Sequence, residues 1–211
     1  MPTTFARITD RTRRLRDVLS AMAVIIIVAA CGGGDESLVG YQVDPVPHVG
    51  TFTVDNTATG EPFTVRAAPG GLLIVFLGFT NCPDVCPTAL AEVGQAIDRI
   101  GSDADPIDVA MITVDPNRDT PEALTNFVQG FIDRGIGLRT DDAAMLRQLA
   151  TAFGATYGTE QDHEGDTTDV GHTDQTYLVD DNGDVIVTWT ADMTSDDIER
   201  DLRLLLDDRQ G

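Results

Sequence analysis

An α/β fold is what this 211-residue sequence predicts, and three observations carry that reading. Two continuous apolar runs, "LLIVFLGF" (Leu72 to Phe79) and "IDVAMITV" (Ile107 to Val114), have strand length and read as strands buried on both faces. Between and after them, apolar residues recur at helical spacing. Near the end, "TYLVD" and "DVIVTW" flank the turn "DNG", which predicts an antiparallel hairpin.

Taken in order, "TFTV", "DNTATGEP" and "FTV" predict a small hairpin turning near Thr59-Gly60, with the folded domain beginning near Gly50. The first long strand follows. Leu90, Val93, Ile97 and Ile100 then predict a helix over 87–100, before the second long strand. Thr120 followed by Pro121 is an N-cap and first-turn pair for a helix bearing Leu124, Phe127, Val128 and Phe131. A short strand, "IGL", precedes a further helix from Asp141 to Phe153, ended by Gly154. "GTEQDHEGDTTDVGH" (Gly158 to His172) reads as an acidic loop, and after the hairpin a last helix is expected over about 195–207. This order, parallel βαβ units followed by an antiparallel hairpin and a closing helix, is that of a thioredoxin-like three-layer fold with an N-terminal β-hairpin extension.

The first thirty residues stand apart. "RTRRLR" (Arg11 to Arg16) is a basic head, and Val18 to Ala30 form a thirteen-residue apolar run, short for a bilayer span and proportioned like a signal-peptide core. Small residues, "VAA", lead directly into Cys31 and resemble a bacterial lipobox, so lipidation of Cys31 is expected; an uncleaved membrane anchor is the alternative. Either places the domain on the extracytoplasmic face of the bacterial cell membrane. Arg13-Arg14 also hints at twin-arginine export. Residues 31–49, with "GGGDES" and the Pro-rich "VDPVPHVG", are expected to be a flexible tether, leaving residues 50–211 as the domain.

Charge excludes one class of partner. The chain has 35 acidic residues against 14 arginines and no lysine, a formal net charge of −21. Such a surface repels nucleic acid.

If Cys31 is lipidated, Cys82 and Cys86 are the only thiols left. The layout puts Cys82 in the loop leaving the first long strand and Cys86 just before the helix. There the free N–H groups and positive potential of a helix start are expected to lower a thiol pKa. Three intervening residues let both sulfurs face one side, where they can close a Cys82–Cys86 disulfide or chelate an ion between two thiolates, a donor set suited to Cu(I). A third ligand is the discriminating question. His48 in the lead-in and His163 in the acidic loop read as solvated, whereas His172 immediately precedes "TYLVD", in a loop expected to fold back beside the cysteines. Thioredoxin-type oxidoreductases carry a cis-proline at that place; this chain has no proline after Pro121 and offers "VGHTDQ" instead.

"FLGFTNCPDVCPTAL", "TVDPNRDTPEAL" and "GHTDQTYLVDDNG" together resemble the Sco/SenC family, thioredoxin-like copper chaperones of cytochrome c oxidase assembly. The resemblance covers about 50–207. It implies copper, as Cu(I) or Cu(II), held by Cys82, Cys86 and His172 and delivered to the copper A centre of cytochrome c oxidase subunit II. A second role in the family is thiol reduction of that centre, with Cys82 and Cys86 as the redox-active pair. Two positions depart from the family's pattern: Asn81 stands where histidine is common, and Gly171 where an aspartate could orient the histidine. Asp115 and Asp119 match the pattern either as carboxylates near the metal or as structural residues, and Asp84 reads as a helix cap.

The function expected is therefore a membrane-tethered copper metallochaperone, a carrier rather than a catalyst. A thiol–disulfide oxidoreductase using Cys82 and Cys86 is the second reading. A fixed structural clip adds little for so short a loop. A peroxidase would want an arginine beside the pair, and the nearest along the chain are Arg66 and Arg99.

Overall fold

The structure is a computed structural model that describes residues 37–161 and 167–210. Its centre is a seven-stranded mixed sheet in the order β2-β1-β5-β4-β3-β8-β9. The strands are β1 (Thr53–Asn56), β2 (Pro62–Thr64), β3 (Leu72–Gly78), β4 (Ile107–Thr113), β5 (Ile136–Arg139), β8 (Thr176–Val179) and β9 (Val185–Trp189). The helices are α1 (Val85–Ile100), α2 (Pro121–Gln129), α3 (Ala143–Ala152) and α4 (Ser195–Gln210). Every residue of β3 is buried, so both sheet faces are covered there, and the layers are helix, sheet, helix as expected. The N-terminal hairpin extends the main sheet at one edge, where β1 pairs antiparallel with β5.

Local chemistry explains the boundaries. Thr120 Oγ1 accepts from the Ala123 N–H at 3.2 Å and Pro121 opens α2, as the sequence predicts. Asp142 caps α3 by accepting from the Ala144 and Met145 N–H groups at 2.8 and 3.0 Å. Gly183 turns the β8–β9 hairpin with φ +91°, a conformation other residues rarely adopt.

Three expectations need correction. Helix α1 begins at Val85, two residues earlier than predicted, which puts Cys86 inside its first turn. The acidic segment is not simply a loop: β6 (Tyr157–Gln161) and β7 (Thr167–His172) form a separate antiparallel pair, with Tyr157 opposite His172. Backbone pairing here wins over a composition poor in apolar residues.

The third concerns the lead-in, which is docked from Leu38 onward rather than being a tether up to 49. Tyr41 exchanges main-chain hydrogen bonds with Thr188 of β9, Val49 donates to Gly183 O at 2.8 Å, and Val49 is buried. The wholly buried carboxylate of Asp201 accepts from the Val39 and Gly40 N–H groups, each at 2.8 Å, and from the Trp189 indole at 2.9 Å. That strap lacks the hydrophobic alternation of a strand, and its partners lie at the far end of the chain. Cys31 and the segment preceding it lie outside the described residues, and no helix among the described residues is long and apolar enough to cross a membrane.

Topology decides what meets at one end of the sheet. Strands β3 and β4 are parallel, so the loops leaving both emerge on the same edge. Strand β8 runs antiparallel to β3 with Thr176 opposite Phe76, so the chain entering β8 arrives at that edge too. Residues 79–84, 114–120 and 172–175 are thereby neighbours, although nearly a hundred positions separate the first from the last.

Candidate metal centre

At this edge the Cys82 Sγ, the Cys86 Sγ and a ring nitrogen of His172 all lie within 4.8 Å of one another. Among the described residues this is the one group of three or more Cys, His, Asp or Glu so disposed. An ion with metal–sulfur bonds of about 2.3 Å and trigonal geometry spaces its donors roughly 4 Å apart, so closure needs a shift of less than about 1 Å.

Each donor is held differently. Cys86 is fully buried, and its Sγ lies 3.4 Å from His172 Nε2. Cys82 is half-buried, and its Sγ accepts from the Cys86 N–H at 3.3 Å. A free N–H at the start of α1 is thus taken by the neighbouring sulfur. Asp84 occupies the cap position but makes no side-chain cap bond to the helix, contrary to expectation.

The expected lowering of the thiol pKa is also overturned at Cys86. Burial pushes this thiol far up, contact with Cys82 adds to the rise, the Phe79 backbone opposes it, and the charges of Cys82 and Asp119 add slightly. Desolvation outweighs the helix start because the side chain points into the core. Both cysteines are free thiols here, the dithiol form of the pair.

His172 is oriented by main chain. Its Nδ1 lies 2.8 Å from Thr173 O, which can only accept, so the proton sits on Nδ1 and the Nε2 lone pair faces Cys86. A backbone carbonyl therefore supplies the orientation that a carboxylate at position 171 would have given. Phe76 and Phe79 meet the imidazole edge-on, with ring centroids 5.8 and 5.6 Å away. Asn81 is exposed.

The two aspartates have structural partners. Asp119 is 1% exposed and accepts from the Thr80 hydroxyl and the Thr113 hydroxyl, each at 2.5 Å, and from the Thr80 N–H at 3.1 Å. It ties the loop leaving β3 to the end of β4. Asp115 pairs with Arg118 and takes no part in the three-residue group. His48 lies on β9's edge with its Nδ1 2.8 Å from Asp184 Oδ1, and His163 lies outside the described residues.

Gly78 belongs to the site but escapes sequence reasoning. A Cβ there would stand 2.6 Å from Phe76 Cε1 and 2.8 Å from Cys86 Sγ, so no side chain fits beside the sulfur. The available signal was a lone glycine ending an otherwise bulky strand near two cysteines.

Comparisons with known proteins point to one family. The family model described as SCO1/SenC matches residues 42–207. The SCO2-like protein RP587 of Rickettsia prowazekii is 31% identical over 140 residues, covering 66% of this chain and 68% of its own. The mitochondrial SCO1 homologue of Homo sapiens is 35% identical over 142 residues, 65% of this chain and 46% of its own. Among solved structures, Bradyrhizobium japonicum ScoI with copper bound is 30% identical, with TM-score 0.62, covering 72% of this chain and 96% of that one. Apo Sco1 from Thermus thermophilus is 26% identical, with TM-score 0.70, covering 82% and 99%. With the model matched over most of its length, this chain belongs to the SCO1/SenC family.

Proposed function

We propose that this protein is a copper metallochaperone that takes up one copper ion through Cys82, Cys86 and His172. The observation that carries the reading is the convergence of two sulfurs and one imidazole nitrogen within 4.8 Å. Two thiolates and a nitrogen form a soft three-donor set suited to Cu(I), whereas structural zinc sites want four. Uptake by the dithiol form displaces the thiol protons of both Cys82 and Cys86 to solvent. Copper bound to the Bradyrhizobium relative supports the assignment.

Its destination on this reading is the copper A centre of cytochrome c oxidase subunit II, reached by ligand exchange at the half-buried Cys82. The chain works on the extracytoplasmic face of the cell membrane, anchored through lipidated Cys31. Metabolic labelling with a radioactive fatty acid tests the anchor: Cys31→Ala should abolish the label, and an equally labelled variant refutes it.

Copper titration of the reduced protein tests the site. One equivalent should bind, and Cys82→Ala, Cys86→Ala and His172→Ala should each weaken binding sharply. Failure to bind, or indifference to all three substitutions, overturns the reading.

The unequal exposure of the two thiols favours one further reading, a thiol–disulfide oxidoreductase. The Cys82 thiolate would attack a partner's disulfide and release one partner thiolate. Cys86, deprotonated by His172, would then attack the Cys82 sulfur, free the second thiolate and leave a Cys82–Cys86 disulfide. Two electrons pass to the partner. Reductase activity that survives removal of copper would support it.

A further inference from the structure

The docked strap touches the loop that carries His172. Tyr41 is fixed on the outer edge of β9 by main-chain hydrogen bonds of 3.0 and 2.8 Å with Thr188, and the two residues before it are held by Asp201. From this fixed point its phenol oxygen accepts a hydrogen bond from the side-chain amide of Gln175 at 2.6 Å. The other end of the same amide, Oε1, accepts from the Tyr177 hydroxyl at 3.1 Å. Tyr177 is buried, and its ring packs on Phe153 at 4.8 Å, the residue that closes α3 just before the chain leaves for β6. Gln175 is thus gripped at both ends.

The position of that grip matters. His172 ends β7, a strand that pairs only with β6 and not with the seven-stranded sheet. Between His172 and β8 lie three residues without regular structure. One of them, Thr173, orients the imidazole through its carbonyl and is tied to Thr156 by its own N–H at 2.9 Å. Gln175 is the next side chain along with hydrogen bonds to partners outside the loop.

We propose that Tyr41 and Gln175 are positioning residues for His172: the strap entering the domain holds the far end of the histidine loop, so that Nε2 stays over the two sulfurs. This rests on the three-ligand reading of the preceding section. It makes the first described residues of the chain part of the metal site's support.

Tyr41→Phe keeps the ring and removes the acceptor, and Gln175→Met keeps the length and removes both amide contacts. In the reduced protein each should lower Cu(I) affinity about three- to tenfold, the usual worth of one or two hydrogen bonds. In a His172→Ala background the same substitutions should change affinity less than about twofold, because the residue they position is gone. In the metal-free protein the Thr173 amide should exchange its hydrogen faster in both variants. Unchanged affinity in the parent background, or an equal loss in both backgrounds, overturns the proposal. If His172→Ala alone leaves affinity unchanged, the three-ligand reading fails, and this proposal with it. If His172 matters and Tyr41→Phe is inert, only the proposal fails. Should Gln175→Met not fold, Tyr41→Phe, which alters a single exposed hydroxyl, carries the test.

Discussion

Replacing Asp119 by alanine separates the two readings its position allows. The carboxylate satisfies the Thr80 and Thr113 hydroxyls and the Thr80 N–H in a site 1% exposed to solvent. Removing it strands these donors: the hydroxyls can rotate towards other acceptors, but the N–H cannot. Unsatisfied buried groups cost about 1–3 kcal/mol each, which places the loss for Asp119→Ala at about 3–5 kcal/mol. With a urea dependence of about 2 kcal/mol per molar, the unfolding midpoint should fall by roughly 2 M. Asp119→Asn keeps one acceptor oxygen and should lose about half as much. The assay is equilibrium urea unfolding of the reduced, metal-free protein, with copper titration at zero denaturant beside it. If Asp119→Ala unfolds at the parent's midpoint while copper uptake collapses, the anchoring role is wrong and the carboxylate belongs to the metal's surroundings.

Gly78→Ala forces a methyl group against Phe76 and the Cys86 sulfur; it should cost about 1–3 kcal/mol and weaken copper binding, read by the same two assays. Stability of the metal-free, reduced protein should fall above pH 9.0, the ordinary thiol value. The folded Cys86 keeps its proton where the unfolded one loses it, so the contribution is complete below pH 9.0 and is lost at about 1.4 kcal/mol per unit as pH rises. Cys86→Ala should remove that slope just above pH 9, and urea midpoints across pH check it. Asp201→Ala should free the strap and leave the Trp189 indole unpartnered, costing about 3–4 kcal/mol. Trp189 is the single tryptophan, so its emission spectrum reports the change directly.

What could be read in advance was whatever the chain writes locally. The buried strands β3 and β4 announce themselves as apolar runs, and Thr120-Pro121 announces α2, because both signals lie within a few residues. The placement of His172 beside the two cysteines was legible because strand order alone returns the start of β8 to the end of β3. The β6–β7 pair was not legible, since the sequence of its strands, rich in Thr, Gly and acidic residues, carries no apolar alternation. Nor was the strap: Val39, Gly40 and Tyr41 find their partners about 150 residues onward, through one buried carboxylate and one edge strand. The Cys86 thiol was misjudged for a related reason, because a helix start is visible in sequence whereas the depth of a side chain in the core is not.

The two sheets divide the donors between them. Both sulfurs follow β3 of the large sheet, and the imidazole ends a strand of the small one. Lifting the nitrogen away from the sulfurs therefore breaks no rung of the seven-stranded ladder. On the three-ligand reading, capture and surrender of an ion are governed by the small ribbon's attachments while the sulfur-bearing scaffold stays whole, so affinity can be tuned without loss of the fold's stability.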